Sequence, residues 1–254
     1  MEPKRDIVVN TMKIIKASKK QHHGNNVFHV EILYPGIPLD SDDTGFYTIG
    51  RIDHANFNPP GLVPMHSHRN DEILSYMRSG SMIHKDSSGN KEYLTDTHMM
   101  LMNAGHGIQH EESAEKDVEM LQIFMRPSVN GLEPLVQFHQ FEDLYSEDQW
   151  RLVAGNAKNA PLKLRTETDI FDARLTKGSS LQVPVSEVPA IHLLYCFNGT
   201  ITVEGETLRK GDSLVFSDEE IEINALEMSD LVLFQIAEDA KYSDTGMFSG
   251  NQYK

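Results

Sequence analysis

The 254 residues are 39% hydrophobic and 24% charged, which describes a globular chain long enough to bury a core without disulfides. A formal net charge of -15 works against direct contact with nucleic acid phosphates, and no Lys/Arg cluster denser than residues 13–20 offsets it. The one cysteine, Cys196, excludes an intramolecular disulfide and a thiolate zinc site.

Taken in chain order, Ile7-Val8-Val9 is too short for the apolar segment of a signal peptide, and no run reaches the ~20 apolar residues of a membrane helix. A cytoplasmic protein without membrane contact is expected. Residues 11–16 and 26–34 read as short strands. In the second, Phe28, Val30 and Ile32 alternate with polar neighbours at period two. His22 and His23 fall in a polar turn and are expected to be solvated. Residues 46–52 form a further strand. Beyond a histidine-bearing stretch come 73–77 and 81–85, separated by Arg78-Ser79-Gly80, and Asp86-Ser87-Ser88-Gly89-Asn90 closes a hairpin. Strands at 92–94, 99–102 and 118–125 complete the first half.

Between 127 and 149 the β alternation fades, and a connector with one short helix at most is expected. Strand signals resume at 149–153 and recur at 162–164, 170–175, 181–183, 191–197, 200–204, 207–208, 210–216 and 231–236. Closely spaced short strands with Gly, Asn and Asp turns indicate an all-β barrel or jelly roll. The two halves also read alike: Arg78-Ser79-Gly80-Ser81-Met82-Ile83 parallels Phe197-Asn198-Gly199-Thr200-Ile201-Thr202, a candidate internal duplication. The histidines break that symmetry. Eleven of the twelve lie at or before His139, so a site built on them belongs to the first half.

Two stretches carry the chemistry. Gly61 to Glu72 contains His66-Ser67-His68, and Ala104 to Glu112 contains His110-Glu111-Glu112. Side chains two apart on a strand share a face, so two such strands could aim His66, His68, His110 and Glu112 at one point. Glu72 has the parity of His66 and His68, and an unbulged strand would bring it to the same face. Imidazole and carboxylate without thiolate suit Fe, Mn, Cu, Ni or Zn, and such a set with open positions favours non-haem Fe(II).

These residues carry a resemblance. Gly61 to Gly80, with His66, His68, Glu72 and the closing glycine, resembles the first motif of the cupin superfamily. The series Met65-His66-Ser67-His68-Arg69, the hairpin 84–90, and Ala104-Gly105-His106-Gly107-Ile108-Gln109-His110-Glu111-Glu112 resembles the pirin family more closely. The resemblance implies two tandem cupin β-barrels: an N-terminal metal-binding barrel over 1–130, a connector over 131–148, and a C-terminal barrel without metal ligands over 149–254. It implies one divalent metal, Fe(II) first with Mn, Ni, Cu and Zn as alternatives, held by His66, His68, His110 and Glu112. The general cupin pattern would give the fourth place to Glu72; the pirin pattern gives it to Glu112 and leaves Glu72 as a hydrogen-bond acceptor behind the ligands. The implied activity is a quercetin 2,3-dioxygenase-like reaction of a flavonol or similar phenol with O2, with Glu112 or Glu72 as catalytic base for the phenolic proton. The alternative is a metal- or redox-sensing regulator that works through a protein partner. Departures from the pattern are Asn70-Asp71 before Glu72, Asp96-Thr97-His98 at a turn, and His106 where Arg is common. They place extra charge near the site.

Overall fold

The computed structural model describes residues 12–217 and 220–254; Ile7-Val8-Val9 and Thr11, the first residue of the first expected strand, lie outside them. The first half holds β1 (Lys13–Ile15), β2 (Gln21–Gly24), β3 (Phe28–Leu33), β4 (Ile49–Phe57), β5 (Leu62–His68), β6 (Glu72–Asp86), β7 (Lys91–Thr95), β8 (His98–Asn103), β9 (Ile108–Met125) and β10 (Leu135–Gln140). The second holds β11 (Arg151–Gly155), β12 (Leu162–Lys163), β13 (Thr168–Leu175), β14 (Ser180–Gln182), β15 (Ala190–Asn198), β16 (Thr200–Val203), β17 (Glu206–Arg209), β18 (Ser213–Phe216), β19 (Glu222–Ala225) and β20 (Ser229–Ala237). Among the described residues no helix is long and apolar enough to cross a membrane.

A nine-stranded sheet ordered β10-β8-β6-β9-β4-β3-β2, with β5 added on β9 and β7 on β6, forms the first barrel. A seven-stranded sheet ordered β1-β18-β15-β20-β13-β11-β12 and a four-stranded sheet ordered β14-β19-β16-β17 form the second. This is the all-β fold of two tandem cupin barrels. Two segments cross between them. β1 pairs with β18 of the second barrel, and residues 248–252 hydrogen-bond back onto the first barrel at Asp71 and Thr44.

The packing explains why some strands alternate and others do not. On β6, Ile73, Met77 and Met82 face the core of the first barrel, while Leu74 and Tyr76 enter a cluster shared by both barrels. On β15, Leu194 and Cys196 face the second barrel's core, while Leu193, Tyr195 and Phe197 enter the shared cluster. A strand buried on both faces loses the polar half of its alternation. That is why 73–77 and 191–197 read as largely apolar runs, broken only by the buried Ser75 and His192. Cys196 is fully buried there, and burial pushes its thiol up to about 12, which removes it from redox and ligand chemistry.

Two expectations are corrected. Segments 73–77 and 81–85 are one strand, because β6 runs through Gly80 with register shifts against β9 rather than ending there. Gly80 has φ +81°, and a Cβ would stand 2.1 Å from the Asp117 carbonyl oxygen, so the bulge requires glycine. Within 131–148, expected to hold no strand, β10 pairs with β8 from Leu135–Asn103 to Gln140–His98. As an edge strand it is nowhere fully buried: Val136 and Phe138 pack on the first barrel's core but Leu135 is exposed, so its apolar signal is weak.

Candidate metal centre

β9 carries the site between two neighbours. On one side β5 places His66 opposite His110; on the other β6 places Asp86 opposite His110 and His84 opposite Glu112. Strand alternation puts His66 with His68 and His110 with Glu112 on common faces, as their spacing requires. The ligand atoms of His66, His68 and His110 fall within 4.8 Å of one another. Ring centroids stand 4.4 Å apart for His66–His110, 4.8 Å for His66–His68 and 4.9 Å for His68–His110. His68 and His110 are buried; His66 is half-buried at the rim.

The hydrogen bonds around the imidazoles fix their tautomers. His66 Nδ1 lies 2.9 Å from the Pro64 carbonyl oxygen, which can only accept, so Nδ1 carries the proton and Nε2 is a bare lone pair. His68 Nδ1 lies 3.2 Å from Asp71 Oδ2 and donates to that carboxylate, which leaves its Nε2 bare as well. The two Nε2 atoms are 3.0 Å apart, lone pair facing lone pair. His84 Nε2 donates to Asp86 Oδ2 at 3.0 Å, so His84 Nδ1 accepts from His110 Nδ1 at 3.5 Å. His110 Nε2 is then unprotonated, buried and without a hydrogen-bond partner. Burial, then the neighbouring His68, His66 and His84, push the pKa of His110 down to about 2 and keep it neutral. Three bare imidazole nitrogens converging in a buried place are costly unless a cation joins them. The donor set therefore fits a divalent transition ion.

Glu112 is buried beside this triad. Its Oε1 stands 4.0 Å from His110 Nδ1, and Gln122 Nε2 donates to both carboxylate oxygens at 3.3 Å. It groups with His84 and His110 rather than with His66 and His68. Burial raises its pKa. Glu72 is placed elsewhere. Asn70, at φ +58°, ends β5 in the left-handed region, and Glu72 opens β6 opposite Met125, far along β9 from His110. The shared parity does not survive that turn. Glu72 instead accepts from Asn103 Nδ2 and the Arg165 amide, both at 2.8 Å.

Burial raises the Glu72 pKa from the ordinary 4.5 to about 7, outweighing the hydrogen bonds from the Arg165 amide and Asn103. A raised folded-state value favours folding below the unfolded pKa, and the benefit is lost as pH climbs through the folded one. In chelator, the stability of the chain is expected to fall between pH 5 and 8, with Glu72 contributing about 3 kcal/mol. Urea midpoints at the two pH values check this: Glu72→Gln should flatten the slope. Part of it should remain from Asp53, also raised by burial, to about 6.

Sequence spacing did not identify three contributors. His84 and Asp86 sit in the hairpin motif, and only the β6–β9 register brings them to His110. Asp71, expected as extra charge, is fully buried and binds His68 on one side and residues 248–249 on the other. Phe248 packs on His68 with ring centroids 5.0 Å apart. Outside the triad, a depression of about 480 Å³ is bordered by Ser67, His68, Arg69, His106, Gln109 and Met247.

Comparison with known proteins follows the same division. A family model described as Pirin matches residues 39–125, and one described as Quercetinase C-terminal cupin domain matches residues 151–236. Quercetin 2,3-dioxygenase of Escherichia coli (strain K12) is 28% identical over 177 residues, spanning 67% of this chain and 74% of that protein. Among solved structures, the bacterial pirin YhhW from Escherichia coli in complex with nickel(II) superposes with a TM-score of 0.77 at 24% identity, covering 89% of this chain and 99% of that one. A quercetin 2,3-dioxygenase from Acinetobacter baumannii superposes at 0.69 with 21% identity, covering 90% and 86%.

Proposed function

The chain belongs to the pirin family of two-barrel cupins, and from that premise we propose that it is a metal-dependent dioxygenase acting on a flavonol or similar phenol with O2. Metal binding is assigned to the barrel of residues 1–130, and the barrel of 149–254 supports it. His66, His68 and His110 hold the ion through Nε2, and Glu112 completes the set. Fe(II) is the first choice, with Mn, Ni, Cu and Zn as alternatives; the nickel(II) complex of the Escherichia coli pirin supports a divalent ion in this fold. The observation that carries the reading is the orphaned, buried Nε2 of His110 beside the apposed Nε2 atoms of His66 and His68.

When bound, the ion supplies a Lewis acid and an electron path between an enediol-like phenol and O2. The protein does the rest. The depression beside His68 and His106 admits a planar substrate. Glu112, its pKa raised by burial, is a stronger base than a solvated carboxylate and is suited to take a phenolic proton. Gln122 donates to both its oxygens and holds the carboxylate in place. Asp71, and Asp86 acting through His84, keep the imidazoles in the ligand tautomer. Glu72, engaged by Asn103 and Arg165, is left out of the reaction.

The test is aerobic incubation of the Fe(II)-loaded protein with quercetin, following flavonol absorbance and O2 together. Both should fall in step, and Glu112→Gln should slow the loss by about 10²-fold or more at matched metal content. Full occupancy with no flavonol consumed would end the substrate assignment and favour the regulator that acts through a protein partner.

A further inference from the structure

The outer edge of the first barrel gathers a second set of ligand atoms. β2 is the last strand of its sheet, and His22 on it stands directly opposite Glu31 on β3. His29 lies two residues before Glu31 and shares its face. Pairing of β2 with β3 sends His22 and His23 to opposite faces, so the solvated pair expected from sequence is split and His22 gains different neighbours.

We propose that His22, His29 and Glu31 form a surface site for a borderline divalent ion such as Zn(II), Ni(II) or Cu(II), separate from the buried centre. One ligand atom from each falls within 4.8 Å of the other two. His22 Nδ1 stands 4.0 Å from Glu31 Oε1, and the two imidazoles stack at 5.8 Å with 25° between their planes. A tetrahedral ion with bonds of about 2.1 Å needs its donors roughly 3.4 Å apart. Small rotations close that gap, because the His22 side chain is 57% exposed and meets little resistance. Two imidazoles and one carboxylate leave a fourth position for water, a common three-ligand arrangement.

A second observation sets the carboxylate. Glu31 Oε2 accepts from Lys20 Nζ at 3.1 Å, and the Lys20 side chain is only 1% exposed. Lys20 in turn donates to Tyr195 Oη of the second barrel at 2.7 Å. The buried ammonium therefore holds Oε2 and turns Oε1 toward His22, as a supporting residue behind a ligand does. Burial is the largest influence on the Lys20 pKa and lowers it, while Glu31 works the other way. An ion on Oε1 draws charge from the contact that joins this edge to the interface between the barrels.

Calorimetric titration of Zn(II) into the full chain tests the site. The wild type should show two classes of binding, the weaker accounting for one further ion per chain. His22→Ala/His29→Ala should weaken that class by about tenfold or more, while the tighter class is kept. His66→Ala/His110→Ala should do the reverse, and in that background Zn(II) should still raise the melting temperature. A weaker class that survives the loss of His22 and His29, or a wild type with none, overturns the proposal. A wild type that shows only the weaker class would count against the buried centre and leave this site standing.

Discussion

Replacing Asp71 by alanine is expected to destabilise the chain by about 3–5 kcal/mol and to weaken ion binding by about 10–100-fold. The size follows from what one buried carboxylate does. Its Oδ1 accepts from the Phe248 amide at 3.1 Å, the Ser249 amide at 2.9 Å and the Ser249 hydroxyl at 2.8 Å, while Oδ2 holds His68 Nδ1. Removing it leaves two amides, a hydroxyl and an imidazole N–H without their acceptor inside the protein, each a loss of about 1–3 kcal/mol before relaxation. Arg126, which is fully buried and donates to the Ser249 carbonyl at 2.6 Å, would lose part of its own support. Asp71→Asn separates the two roles. It keeps an acceptor for the segment but exchanges a charged partner of His68 for a neutral one, so affinity should fall further than stability. Chemical denaturation in chelator and calorimetric titration of Fe(II) or Ni(II) read the two effects. Equal, small changes in both would show that Asp71 only fills space.

The second large effect is the loss of ion-linked stability in His110→Ala. An ion that binds only the folded state adds about 2.7 kcal/mol at a free concentration a hundred times Kd. The variant should lose the part of that increment that comes from the buried centre. In chelator the comparison changes, because the substitution removes a buried side chain but also a buried nitrogen that nothing satisfies. These terms oppose, so the metal-free proteins should lie much closer together than the loaded ones. Melting curves with and without ion show this directly: a wild type that gains nothing from any divalent ion would contradict it.

The fold was legible because cupin-like barrels write themselves in short strands and glycine or aspartate turns. The triad was legible because period two puts His66 with His68 and His110 with Glu112. Legibility ended where the chain departs from local rules. Glu72 shares parity with His68, but Asn70 in the left-handed region turns the chain between them. β6 looked like two strands because its glycine bulge resembles a turn, and β10 was hidden by its edge position. His84 against His110, and Asp71 against Ser249, depend on contacts between residues distant in sequence, which spacing alone does not encode.

The most direct measurement is the metal content of the purified wild-type chain and of His110→Ala, each after anaerobic exposure to Fe(II) and removal of loosely held ions. One tightly bound divalent ion per wild-type chain and none in the variant is the expected result. A wild type that retains no ion, or a variant that retains it undiminished, would contradict a metal centre built on His66, His68, His110 and Glu112.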